Sequence, residues 1–214
     1  MTEKGFTLIE MAIVLAIIGL IVAGIVKSTT LIDSARAKNV LTQATALIDA
    51  QHSYYERNRR YAGDLNNDAQ IDFSAYTAVS FDGEAGSSND ADYSFNELKD
   101  MGLIKSDISN SEIASTVNEG QMHFSGDEIT DSAGNKTPVN MVIITSETCS
   151  AAFQLEMALD GTQPDGTGSA STGSVRQVID GKLAVSGSWT SSGTSCVSDG
   201  SVDTSSLTTI AVIF

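Results

Sequence analysis

Lys4-Gly5-Phe6-Thr7-Leu8-Ile9-Glu10 opens an apolar run that continues from Met11 to Val26. A short basic leader meets a Gly-Phe junction, and from Phe6 to Val26 the only charge is the Glu10 carboxylate. That stretch is 21 residues long, against the ~20 residues a helix needs to cross a bilayer. A carboxylate in hydrocarbon costs at least ~2.5–3.5 kcal/mol, so Glu10 calls for a partner and a role. No small-residue cleavage site follows Val26, so the run does not read as a secretory signal removed after its apolar core.

Gly5-Phe6-Thr7-Leu8-Ile9-Glu10 resembles the class III, prepilin-type signal of type IV pilins and type II secretion pseudopilins. The resemblance implies cleavage after Gly5 by prepilin peptidase on the cytoplasmic face and N-methylation of the new terminus, Phe6. It also implies that the apolar segment stays in the mature chain. Glu10 would then pair with the methylated amine of Phe6 on a neighbouring subunit, setting axial register, because a buried charge left uncompensated costs several kcal/mol. The implied partners are other pilin or pseudopilin subunits, prepilin peptidase and the inner membrane. Before assembly the head would lie in the periplasm, and afterwards in an extracellular pilus or a periplasmic pseudopilus. Family pilins often carry a proline where this chain has Lys27. Gly19 and Gly24 are the weak points inside the run, each costing about 1 kcal/mol relative to Ala.

Charge divides the chain. Residues 1–60 hold seven Lys/Arg and five Asp/Glu, whereas residues 61–214 hold five and 22. An acidic head on a near-neutral stalk counts against nucleic acid as a partner, since phosphate binding depends on Lys/Arg contacts. The organisation expected is a leader at 1–5, a membrane-spanning half-helix at 6–26, an amphipathic half-helix at 27–62 and an extracytoplasmic head at 63–214. The fold expected is α+β and pilin-like: a long N-terminal helix packed on an antiparallel β-sheet head.

Leu31, Ala35, Leu41, Ala44, Ile48 and Tyr55 recur mostly at three- and four-residue steps, with charged or polar residues between them. That pattern predicts the face turned to the head, with Gly63 as the helix stop. A helix from Phe6 to about Tyr61 would be on the order of 80 Å long.

Asp64, Asn66, Asp68, Gln70 and Asp72 place oxygen-bearing side chains at alternate positions, with Ile71 where a calcium loop anchors itself. They resemble the first nine positions of an EF-hand loop and are the candidate calcium ligands. Ala69 stands where the sharp turn wants Gly, and Ala75 where a bidentate Glu would complete the shell. Another segment would have to supply that carboxylate.

Residues 82–92 read as a polar loop. Ser94-Phe95-Asn96-Glu97 reads as a capping box opening a helix to about Met101, stopped by Gly102. Gly63-Asp64 and Glu97-Leu98 to Gly102-Leu103-Ile104 resemble, in part, a subgroup of prepilin-like proteins with a Pro-Gly-Asp loop and a later Leu-x-x-x-Gly-Leu-Ile helix. Strands are expected over Gln121–Phe124, Val139–Thr145, Val175–Ile179, Lys182–Val185 and Leu207–Phe214. Asp180-Gly181 would be a tight hairpin turn, Thr148–Asp160 a helix, and Gly161–Gly173 a loop.

Catalytic inventory is thin. The two histidines, His52 and His123, have no implied partner, and no G-x-S-x-G, H-E-x-x-H, Walker A or G-x-G-x-x-G pattern occurs. The expectation is therefore a non-enzyme. Tyr54, Tyr55 and Tyr61 near Arg57, Arg59 and Arg60 read as a helix C-terminus with favourable cations, the other reading being an aromatic–basic binding patch. Cys149 and Cys196 in an oxidising compartment are expected to form a disulfide; two separate buried thiols are the other reading. The functional expectation is a filament subunit. Alternatives are a minor pilin with an adhesive or partner-binding head, and a non-polymerising anchored domain that binds calcium or hydrolyses a substrate.

Overall fold

The computed structural model describes residues 8–84, 90–130, 134–161, 171–184, 190–191, 194–198, 201–202 and 207–214. One helix, α1 (Leu8–Asn58), carries both the apolar run and the amphipathic stretch. Its 51 residues correspond to about 76 Å at 1.5 Å rise each. It ends on Arg59, a left-handed residue (φ 60) whose N–H bonds the Tyr55 carbonyl at 2.8 Å. Gly63, expected as the stop, has a different task. At φ 93 it lies so close to Ser94 that a Cβ would sit 2.1 Å from the Ser94 hydroxyl.

The face that α1 turns to the head is rotated from the expected stripe. Ala37, Val40, Ala44, Leu47, Gln51 and Tyr54 are buried, whereas Leu41, Ile48 and Tyr55 flank that line and Leu31 and Ala35 are exposed. The main packing partner of α1 is α4 (Cys149–Leu159), and Ala44 and Leu47 share the core with its Ala152, Phe153 and Leu155. Close packing rather than apolar count selects the phase.

Two short helices follow. α2 (Ala91–Asp100) starts earlier than the Ser94 capping box predicts, because Asp90 caps it by accepting the Asp92 N–H at 2.9 Å. Ser94 is buried inside the helix. Its end is as expected: Gly102 is left-handed (φ 66), and the Leu103 N–H returns to the Leu98 carbonyl at 2.9 Å. α3 (Asn110–Ala114) is one short turn capped by Ser109.

The head is built on an antiparallel sheet of β1 (Met122–Thr130), β2 (Lys136–Thr148), β3 (Val175–Ile179), β4 (Lys182–Leu183) and β9 (Leu207–Ile213). The order is β1-β2-β9-β3-β4, so the C-terminal strand occupies the centre. Asp180 and Gly181 both have positive φ (50 and 71), the type I′ turn expected between β3 and β4. β4 is described only to Leu183; Val185 lies outside the described residues. Two small ladders, β5 (Thr190–Ser191) with β6 (Thr194–Ser195) and β7 (Val197–Ser198) with β8 (Ser201–Val202), flank Cys196.

The sheet has two apolar faces. Val142, Ile144, Ile210 and Val212 join the helices around Phe95, Phe124 and Phe153. Met141, Ile143, Val178 and Ala211 form a smaller cluster on the other face, partly covered by Tyr76. The β2–β9 register breaks between Ile144 and Glu147, with Ser146 left-handed (φ 57), and this bulge places Glu147 fully inside.

Candidate processing and assembly segment

Gly5 and Phe6, the expected processing pair, lie outside the described residues. Glu10 sits in the first turn of α1, where the positive end of the helix dipole favours an anion. From Leu8 to Ile25 mean hydropathy is 2.8 and none of the segment is buried against the head. Nothing lies within 4 Å of a Cβ built on Gly19 or Gly24, so both offer a smooth, unoccupied helix surface. The apolar surface reaches past Lys27, with Leu31 69% and Ile32 48% exposed. Head packing begins only at Ala37. An apolar stretch of helix therefore projects from the folded head with its surface uncovered by the head.

The expected calcium residues form a self-closed loop. Asp64 is buried and accepts the Asn67 N–H at 2.7 Å and the Ala69 N–H at 3.0 Å. Ala69 adopts the left-handed turn (φ 69) that a calcium loop gives to Gly. Asp68 accepts the Gln70 N–H, Asp72 accepts the Leu65 N–H, and Gln70 donates to the Asp127 carbonyl. The Asn66 amide nitrogen donates to both Asp68 (2.9 Å) and Asp72 (3.2 Å). A cation entering between those two carboxylates would have to displace that amide. Among the described residues no group of three or more His, Cys, Asp or Glu side chains converges as a metal cage. As folded, these side chains hold the turn closed through hydrogen bonds within the loop. Asn140 on β2 clamps the loop to the sheet, accepting the Ile71 N–H and donating to the Ala69 carbonyl, both at 2.8 Å.

Glu97 has a role that its sequence neighbours did not reveal. Freed from capping, its carboxylate accepts the Gly63 N–H at 2.8 Å and two guanidinium donors from Arg60. Arg60 in turn lies over the Tyr54 ring, 5.4 Å from its centroid. The Glu97 charge and burial raise the Tyr54 pKa to about 12, burial being the larger cause. Tyr55 stacks with Tyr61, and Tyr61 meets Phe214 edge-on. The aromatic–basic cluster is thus the joint between stalk and head. Arg60 and Glu97 stand 37 residues apart, too far for any local pattern to pair them.

Cys149 and Cys196 form the expected disulfide, tying the start of α4 to the small ladders across 47 residues. His52 is an exposed residue whose ring meets Phe214 edge-on. His123 is buried, its Nε2 3.0 Å from the Ala75 carbonyl, and burial lowers its pKa to about 4. A histidine held neutral in the core packs the sheet.

Fold and segment together define a class: a long N-terminal helix, apolar and long enough over Leu8–Ile25 to cross a membrane, that runs into an α+β, pilin-like head. Residues 1–26 match the family model for the prokaryotic N-terminal methylation motif. The chain therefore carries the prepilin signal of type IV pilins and pseudopilins at its N-terminus. No curated protein and no solved structure matches it.

Proposed function

We propose that this protein is a structural subunit of a type IV pilus or a type II secretion pseudopilus. The methylation motif supports a substrate of prepilin peptidase and an inner-membrane-anchored precursor. The observation that carries the filament reading is Glu10 set within an apolar helix surface, Leu8 to Ile25, that the head leaves bare. Lipid covers such a surface in the precursor. Packing against neighbouring α1 helices covers it in a polymer, where small residues such as Gly19 and Gly24 permit close approach. Glu10 pairs with the methylated Phe6 amine of a neighbour, and the cost of an uncompensated charge in that apolar bundle selects one register. The head lies outside the inner membrane, where its disulfide persists.

Intact-mass analysis of the native protein tests the processing, and should find a chain lacking residues 1–5 with one methyl group on Phe6. An unprocessed Met1 refutes it. Glu10→Ala tests the assembly step: membrane levels should match wild type while filament incorporation falls. Normal incorporation of that variant removes Glu10 from the mechanism.

A further inference from the structure

Three of the head's five Lys/Arg residues, Lys136, Arg176 and Lys182, line a single groove, although the head also holds 22 Asp/Glu. The groove, about 350 Å3 in volume, lies between the β1–β2 and β3–β4 hairpins. Tyr76 and Leu183 in its lining belong to the apolar cluster on the sheet face turned away from α1. Lys136 is committed to the Glu128 carboxylate at 2.6 Å, and the other rim carboxylate, Asp127, accepts the Glu128 N–H at 2.7 Å. Arg176 donates its Nε to the Gly173 carbonyl at 3.2 Å. Among the described residues neither Arg176 nor Lys182 has an ion-pair partner. The Tyr76 hydroxyl is buried and has no hydrogen-bond partner. Arg176, which also feels the Asp160 carboxylate, and Lys182 thus line one partly apolar groove beside the buried, unmet Tyr76 hydroxyl.

Heads of net charge −17 repel one another at the near-contact distances of a polymer, within a Debye length of roughly 8–10 Å. Close packing of copies needs local cations to offset that repulsion. We propose that this groove receives a carboxylate side chain from the head of a second copy of the chain, held between Arg176 and Lys182 with the Tyr76 hydroxyl donating to it. Charge complementarity carries the choice of occupant. Asp68, Asp100, Asp107, Glu112 and Glu119 are exposed on the same head, and a groove of this size takes a side chain rather than a strand. In a half-buried site a charge-assisted bond to guanidinium is stronger than its exposed counterpart. The inference rests on the filament reading.

Filaments assembled from a mixture of 14N- and 15N-labelled full-length protein, treated with a zero-length carboxyl–amine coupling reagent, test it. Mass spectrometry should find the Lys182 peptide joined to an acidic head peptide of the opposite label. Lys182→Glu, an exposed substitution beside the hairpin turn, should lower filament yield on the order of tenfold, with Lys182→Gln intermediate and membrane levels unchanged. Filaments in which Lys182 couples only within its own chain, or Lys182→Glu filaments at wild-type yield, overturn the groove contact and leave the filament reading standing. Processed wild type that forms no filament at all overturns both. Free glucuronate that shields Lys182 from acetylation in the detergent-solubilised monomer, without inter-subunit coupling, overturns the second copy as occupant in favour of a soluble acid.

Discussion

Replacing Glu97 by Ala should loosen the joint between stalk and head. The carboxylate accepts three hydrogen bonds, two from Arg60 and one from the Gly63 N–H. Hydrogen bonds to charged groups contribute about 1.5–3 kcal/mol each. The Arg60 and Glu97 side chains are 23% and 16% exposed, so the ion pair lies between an exposed pair, at ~0–1 kcal/mol, and a fully buried one whose breaking costs ~3–5 kcal/mol. Truncation also strands the Gly63 N–H and leaves Arg60 with only the Tyr54 ring and the Tyr61 and Asp64 carbonyls. Discounted for that partial exposure, the net loss is roughly 2–3 kcal/mol, or a fall of about 5–10 °C in Tm for a chain of this length. Thermal unfolding of the full-length protein in detergent, followed by near-ultraviolet circular dichroism, measures the loss. A double-mutant cycle with Arg60→Ala isolates the pair and should give a coupling of about 1 kcal/mol or more. A Tm within one degree of wild type, or strictly additive single variants, would refute the latch.

Reducing the Cys149–Cys196 bridge reopens a loop closed across 47 residues, worth about 4 kcal/mol on the chain-entropy model; an unchanged Tm with and without reductant contradicts that. His123, held neutral by burial with a pKa near 4, makes the fold acid-sensitive. The unfolded chain protonates near pH 6.5 and the native state does not, so stability is intact above that value and lost as pH falls toward 4. Between pH 6.5 and 5 the loss is roughly 2 kcal/mol. Burial raises the Glu147 pKa, so its contribution is present at low pH and lost as pH rises through the folded value. It therefore offsets part of the histidine effect, and comparing the Tm-against-pH slope of His123→Gln with wild type separates the two. For the Asp64–Asp72 loop, protein donors already meet the carboxylates. Micromolar calcium should leave Tm unchanged, and a chelator-reversible rise that Asp68→Ala abolishes would establish the loop as a calcium site.

Much of the architecture is legible because it rests on local chemistry. Asp180-Gly181 announces a type I′ hairpin since the turn demands two left-handed residues, and Gly102 ends α2 for the same backbone reason. The start of α2 is ambiguous in sequence because two capping residues, Asp90 and Ser94, lie four residues apart. Asp90 wins, releasing Glu97 for a contact 34 residues away. The exposed and buried lines on α1 interleave for a comparable reason: each residue turns roughly 100° about the axis, and sequence alone does not say which apolar line meets the head.

What the sequence determined by itself is therefore the N-terminal logic: a Gly5-Phe6 junction, one carboxylate at Glu10 and an uncharged run long enough to cross a bilayer. Those features act through hydropathy, charge and peptide chemistry, none of which needs a folded partner. Tertiary structure decided the phase of α1, the Arg60–Glu97 latch, the burial of His123 and Glu147, and the gathering of Lys136, Arg176 and Lys182 around one groove. Each of these depends on which distant residues the sheet brings together, and so on β9 pairing between β2 and β3 at the centre of the head.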